Sequence, residues 1–455
     1  MDQFKETILK LDRAVPRYTS YPTAPHFQKN EDGGRQYQNA LSHLSPKNPV
    51  SLYFHLPFCQ KLCWYCGCNT KITQRYAPIE DYLHLIYREI DMVADAIGFK
   101  SMVSHIHFGG GSPGLIHPKD FLKLMERIRQ RFDVLAECEI AIELDPREVT
   151  HDLAQSYVQA GVKRASLGCQ SFDLKVLSSV NRQQTYAMSA NAVEQLRSAG
   201  VEKISFDLIY GLPHQDARSI EHSMRRAIGL KPDRVSFFGY AHVPWVKKHM
   251  RLIPEEFLPD NGSRYDQFLA GSEYLQQNGF IPVGIDHFAK SDDSLIKSLN
   301  NKTLRRNFQG YTDDTASALI GFGASSIGET AEGYFQNAPQ TELYKKDILD
   351  GKLPNHKVFT FEQADKIRKE IISELMCYGS IDLHETIQKW DLDDNYFNLE
   401  ISALSYFDEI ELITFKDRLS FEINQEARLA WRIIASIFDA YLVRNSVEPK
   451  HAQAV

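Results

Sequence analysis

The chain has 455 residues, 43% of them hydrophobic and 24% charged, with a formal net charge of −7. A chain of this length buries a large core over two or three domains, and its ordinary composition excludes a disordered, fibrous or low-complexity protein. The acidic balance argues against nucleic acid as a bulk partner, and any acidic substrate needs a local basic pocket to offset the overall field. No apolar run is long enough to span a bilayer. The opening MDQFKETILKLDRAV is charged and amphipathic, unlike a secretory leader. Seven cysteines, an odd number, fit a reducing compartment. A cytoplasmic protein is expected.

In chain order, residues 1–49 carry little regular pattern beyond a short helix over 3–13. PRYTSYPTAPHF, residues 16–27, reads as an extended arm. From Val50 strand and helix alternate. Strands are expected at 50–56, 103–108, 139–144, 164–170, 204–210 and 235–240. Helices follow them at 79–97, 119–132, 152–160, 187–198, 219–228 and 263–277. The first helix shows its buried stripe as Ile79, Tyr82, Leu83, Ile86, Ile90, Val93 and Ile97. Another strand starts over 280–285. Six strand–helix units in succession demand a parallel sheet with helices outside, and they fall short of the eight that close a barrel. The reading is an α/β fold, a partial and open (β/α)6 barrel, although the repeat count alone also suits a doubly wound sheet. Residues 291–307 are polar. From 361 the pattern is helical, with a hairpin of 411–415 and 419–421 and a final helix over 426–442. The expected division is an N-terminal arm, 1–49, the barrel, 50–355, and a mainly helical C-terminal domain, 356–455.

Four cysteines, Cys59, Cys63, Cys66 and Cys68, crowd one short loop after the first strand. Such density serves chemistry rather than packing. A closed structural zinc site usually takes two separated pairs. One short loop, with no second pair and no His pair, suits an iron–sulfur cubane. Three ligands would leave one iron open to something else. A zinc knuckle remains the bland alternative, and a disulfide pair the more remote one.

In parallel sheets the active groups gather at the carboxyl ends of the strands. The first strand ends in the cysteines and the second in Gly109-Gly110-Gly111-Ser112-Pro113. The third ends in Glu143 and Asp145, the fourth in Gln170. The fifth carries Asp207 and ends in Gly211-Leu212-Pro213; the sixth ends in Tyr240-Ala241-His242. Singly, each has a bland reading: a tight turn, a helix cap, a satisfied buried polar group. Together they place one large site on a single rim.

The string HLPFCQKLCWYCGCN carries the Cys-x3-Cys-x2-Cys signature of the radical S-adenosylmethionine (SAM) enzymes and resembles the oxygen-independent coproporphyrinogen III oxidases (dehydrogenases) of haem biosynthesis. PRYTSYPT resembles that family's N-terminal segment, and the likeness runs from Pro16 to about Leu442. It implies the radical SAM barrel fold and one 4Fe–4S cluster on Cys59, Cys63 and Cys66, with Cys68 spare. It implies a first SAM at Tyr53, Tyr65, Gly110, Glu143 and Ile327. It implies a second SAM at Gly111, Ser112, Gln170, Arg182, Asp207 and Ala241. The implied reaction turns two propionates of coproporphyrinogen III into vinyl groups, giving protoporphyrinogen IX, through a 5′-deoxyadenosyl radical. The implied partner is a reduced flavodoxin- or ferredoxin-like electron donor, with the enzyme a monomer. Haem-binding relatives acting as chaperones, and radical SAM methyltransferases, are the other classes the loop admits. Arg17, Tyr18 and Tyr21 are expected to approach the substrate. Arg17, Lys247, Lys248, Arg251, Lys290, Arg305 and Arg306 are candidate anchors for its carboxylates. The family continues NFQGYT with a second threonine; here Asp313 and Asp314 stand instead. Cys138, Cys169 and Cys377 are expected as buried small apolar residues.

Overall fold

The structure is a computed structural model that describes residues 4–444 and Ala454. The expected start of the first helix at residue 3, and the end of the C-terminal domain at 445–453 and 455, lie outside the described residues. Six strands run parallel in sequence order: β1 Val50–Leu56, β2 Met102–Gly110, β3 Asp133–Leu144, β4 Arg164–Gln170, β5 Lys203–Tyr210 and β6 Arg234–Gly239. Each is followed by a helix. The seven residues of the stripe on Ala77–Ile97 are all buried, as its spacing predicts.

Four further features lie beyond what the periodicity shows. The strand expected over 280–285 is β7, Phe280–Val283, but it does not extend the parallel run. It folds back on β8, His287–Lys290, and β8 pairs antiparallel with β6. The turn between them spans only 284–286, too short for the crossover that parallel pairing needs. A seventh parallel strand, β9 Leu319–Phe322, lies on the other side of β1. β10 Ile327–Thr330, β11 Gly333–Asn337 and β12 Asn355–Thr360 continue antiparallel to the edge pair Gln28–Lys29. The sheet has thirteen strands, and its two edges, Gln28–Lys29 and β7, are separate, so it is open. The boundary expected at 355/356 falls within β12, which belongs to this sheet.

The parallel strands bury one face fully and leave the other partly open. On β1, Leu52, Phe54 and Leu56 are buried, and Phe54 stacks on Phe108 at 5.1 Å and on Phe322 at 4.7 Å. The opposite face is polar. Ser51, His105, His107, Glu143, Ser166 and Asp207 line an internal cavity of about 260 Å³.

The C-terminal part holds the helices Gln363–Tyr378, Leu383–Trp390 and Asn398–Glu409. The expected hairpin is Ile413–Phe415 with Ser420–Ile423, and Ser380–Asp382 adds a third strand. The single helix expected over 426–442 is instead four short turns, Gln425–Ala430, Trp431–Ala435, Ser436–Phe438 and Ala440–Arg444. The arm breaks it. Tyr18 Oη donates to Asp439 at 3.0 Å, the Ala440 N–H donates to Tyr21 Oη at 3.1 Å, and Asp439 is extended. Tyr18 and Tyr21 are therefore buried staples between the arm and the C-terminal segment.

Candidate active site

The cysteine loop leaves β1 and is pinned from three sides. On one side the turn after Leu174–Ser179 holds it: the Trp64 N–H donates to the Val180 carbonyl at 3.0 Å, and Asn181 Nδ2 donates to the Leu62 carbonyl at 2.8 Å. On another, Lys247 Nζ donates to the Cys68 carbonyl at 3.0 Å, and His249 Nε2 lies 2.8 Å from the Cys66 carbonyl. The glycine strand end closes the third. The Gly111 N–H donates to Leu56 O at 2.8 Å and the Ser112 N–H to Phe58 O at 2.7 Å. A Cβ on Gly111 would stand 2.5 Å from the Phe58 carbonyl oxygen, so glycine is required for this approach.

Cys63 is buried, Cys59 and Cys66 are half-buried and Cys68 is exposed; all seven cysteines are free. Cys138, Cys169 and Cys377 are buried. The Cys68 thiol donates to Cys66, which brings Cys66 down to about 6 and holds Cys68 up. A Cβ on Gly67 would meet nothing within 4 Å, so the loop has an open side between those two cysteines. Among the described residues no three His, Cys, Asp or Glu side chains converge on a single ion. A cubane presents its irons at separate corners and needs no such convergence. The donor set, three thiols beside an open face, fits a cluster.

Arg182 joins the loop to the rim. It is buried, with Nη1 3.5 Å from Cys63 Sγ and 3.2 Å from Asp145 Oδ2, Nε donating to Gln184 Oε1 at 2.9 Å, and Nη2 donating to the Gly168 carbonyl. Asp145 also takes the Arg147 fork at 2.9 and 2.6 Å. Burial would raise its carboxyl, but Arg147 and Arg182 hold it below the ordinary range. Gln170 ends β4 with φ +67°, and its Nε2 fills the space where a Cβ on Gly168 would sit.

Glu143 projects from β3 between His107 Nε2, 2.9 Å from Oε1, and the Gly110 N–H, 3.3 Å from Oε2. Burial pushes its carboxyl up; these partners outweigh that and keep it ionised. Tyr53 Oη lies 3.1 Å from His55 Nδ1, and its ring stacks on His107 at 5.8 Å. Asp207 receives Ser166 Oγ at 3.2 Å and is pushed up to about 7, by burial first and then by the Glu143 charge. Tyr65 packs in a small apolar cluster with Val180, Leu212, Tyr240 and Met250. Ile327 opens β10 opposite Gly321, and Ala241 lies two residues past β6. Both stand at the same rim.

Of the candidate anchors, Arg17 donates to the Gly239 carbonyl at 2.6 Å and Arg306 faces Asp286 at 3.6 Å. Arg305 is exposed and donates to the Ala316 carbonyl at 3.1 Å. Lys248 and Arg251 sit on the exposed turn Lys248–Leu252. Lys290 is a correction: its N–H pairs with the Asp233 carbonyl just before β6, at the amino edge of the sheet, away from the rim. Asp313 and Asp314, where a threonine was expected, face His105 at 3.7 and 3.1 Å and hold it protonated, up to about 10, against the effect of burial. Sequence reading missed His107, Arg147 and Glu148, the last accepting a hydrogen bond from Ser112 Oγ. His105 and His107 alternate on one strand face, which was the available signal.

A cysteine-loop site at the carboxyl rim of an open parallel sheet defines the class. The radical SAM superfamily model matches residues 53–227. Oxygen-independent coproporphyrinogen III oxidase of Bradyrhizobium diazoefficiens is 43% identical over 98% of both chains. The Helicobacter pylori oxidase is 35% identical over 96% of both. The solved coproporphyrinogen III oxidase of Escherichia coli, described as a radical SAM enzyme, superposes with a TM-score of 0.88 at 32% identity, over 94% of this chain and all of that one. The chain belongs to the oxygen-independent coproporphyrinogen III oxidase family.

Proposed function

We propose that the chain oxidatively decarboxylates two propionate side chains of coproporphyrinogen III to vinyl groups without oxygen, giving protoporphyrinogen IX. The carrying observation is the Cys-x3-Cys-x2-Cys loop locked to the sheet rim through Arg182 and Cys63, in a chain related end to end to these oxidases. Cys59, Cys63 and Cys66 would hold the 4Fe–4S cluster. Tyr53, Tyr65, Gly110, Glu143 and Ile327 would hold one SAM. Gly111, Ser112, Gln170, Arg182, Asp207 and Ala241 would hold a second. Bound there, cluster and SAM supply the electron and the hydrogen-atom abstraction that the propionate chemistry needs.

The residues supply position and charge. Glu143, kept ionised by His107 and Gly110, suits a cationic amino group. Asp207, protonated up to about pH 7, presents a neutral carboxyl that both donates and accepts. Arg182 fixes Asp145 and the loop in one geometry, which limits reorganisation during the reaction. The exposed Cys68 edge offers a reachable side for a small flavodoxin- or ferredoxin-like donor. The same reading takes the protein as a cytoplasmic monomer, its odd number of cysteines suiting a reducing compartment. It takes the chain as arm, sheet domain and C-terminal domain, with the second boundary drawn after β12. No helix among the described residues is long and apolar enough to cross a membrane.

The test is anaerobic incubation of the reconstituted protein with SAM, a one-electron reductant and coproporphyrinogen III. Divinyl product supports the proposal. A methylated product, or tight haem binding without turnover, overturns it.

A further inference from the structure

Glu89 lies inside the apolar stripe of the helix Ala77–Ile97, two turns beyond Tyr82 on the same face, and is only 1% exposed. The chemistry proposed above makes no use of it. A buried carboxylate is costly unless its oxygens are bonded. Here Oε2 accepts the Gly323 N–H at 2.7 Å and Tyr344 Oη at 2.7 Å, and Oε1 accepts Asn337 Nδ2 at 2.6 Å. All three donors are neutral, so no cation among them offsets the burial, and the carboxyl is pushed up to about 7. A glutamine would avoid the buried charge, but it would turn an amino group towards one of these donors. The position calls for two acceptor oxygens.

What those oxygens hold is the turn 323–326 between β9 and β10. β9 runs parallel to β1, with Phe322 beside Phe54, so the turn stands at the carboxyl rim where the cysteine loop begins. Gly323 has φ +92°, and a Cβ on it would stand 2.5 Å from the His55 carbonyl oxygen and 2.6 Å from Tyr82 Oη. Tyr82 Oη accepts the Ala324 N–H at 2.7 Å and donates to that same carbonyl at 3.1 Å. One helix face therefore holds two successive N–H groups of the turn. Asn337, which ends β11, also donates to Gly323 O at 2.9 Å. Its own Oδ1 accepts Asn355 Nδ2 at 2.9 Å, which turns its amino group towards Glu89. Ser326 Oγ closes the turn by donating to Gly323 O at 2.8 Å. The backbone is thus tied to the helix, to the end of β1 and to the end of β11. Ile327 follows directly, half-buried, as the first residue of β10.

We infer that Glu89 is a positioning residue for the first SAM: through the Gly323 N–H it sets the turn that presents Ile327 to the cofactor. This rests on the function proposed above. The experiment uses the full chain with its cluster reconstituted and reduced. SAM is titrated in, and the shift of the cluster's electron paramagnetic resonance signal gives the half-saturating concentration without turnover. In Glu89→Gln that concentration is expected to rise about tenfold, because a hydrogen bond to a charged group is lost where it fixes the turn. Iron and sulfide content and the KM for coproporphyrinogen III stay as in the unaltered protein, which a general loss of structure would not leave intact. Glu89→Asp keeps the charge and both oxygens, set back by one methylene, and is expected to give a smaller rise, about threefold. If Glu89→Gln does not fold, Glu89→Asp decides in its place; if neither folds, the carboxylate serves the fold alone and the inference falls. A folded variant that takes SAM as tightly as the unaltered chain overturns the inference and leaves the proposed function standing. So does a rise matched by an equal rise in the KM for coproporphyrinogen III. An unaltered protein whose cluster signal ignores SAM removes both.

Discussion

Arg182 touches Cys63, Asp145, Gln184 and the Gly168 carbonyl at once, so one side chain couples the cysteine loop to two strand ends. The loop's own residues are separable. In iron and sulfide reconstitution, Cys59→Ala is expected to abolish the cluster and Cys68→Ala to leave it in place, read from the visible charge-transfer bands. Equal loss in both contradicts the three-ligand assignment. Asp207 gives a pH prediction. Its folded value, about 7, lies above its ordinary 3.8. The folded state therefore holds an extra proton between those values, and stability falls as pH rises through that window. Asp207→Asn removes this share, leaving those of Glu89, Glu148 and Glu374, also pushed up to about 7, by burial first. Without SAM, the variant is expected to gain on the order of 4 kcal/mol at pH 8 relative to its effect at pH 4, by denaturant melts. Equal effects at both pH values would refute the assignment of that proton.

At the scale of elements, the glycine end of β2 is a joint as much as a turn. Gly110 has φ +110°, and a Cβ there would stand 2.7 Å from the His55 ring. Gly110→Ala is expected to cost about 1–3 kcal/mol in stability and to disturb the N–H that faces Glu143; a melt within 0.5 kcal/mol of the unaltered protein would argue against strain there. The arm's staple is milder. Tyr18→Phe removes the hydroxyl that donates to Asp439 and is expected to cost about 1–2 kcal/mol. The parallel units were legible because each short β-rich run is followed by a striped helix. The seventh strand was not, since Leu-Ile-Gly-Phe carries no helix after it and pairs with β1 across more than 260 residues. The final helix was misread because its periodicity is sound, and only Tyr18 and Tyr21, some 420 residues away, break it. The rim was legible in Glu143, Gln170 and Asp207, which interrupt apolar strand ends.

For the whole molecule, a chain of net charge −7 that takes a substrate with four carboxylates needs positive charge concentrated locally. The arm and the C-terminal segment are fastened together by Tyr18 and Asp439. The account's central claim is an iron–sulfur cubane with one corner open to SAM. The direct measurement is metal and sulfide analysis of anaerobically prepared protein, with electron paramagnetic resonance of the reduced form before and after SAM. The account predicts iron and inorganic sulfide in equal amounts, and a signal that shifts on adding SAM. Stoichiometric zinc without sulfide, or a cluster signal indifferent to SAM, would contradict it.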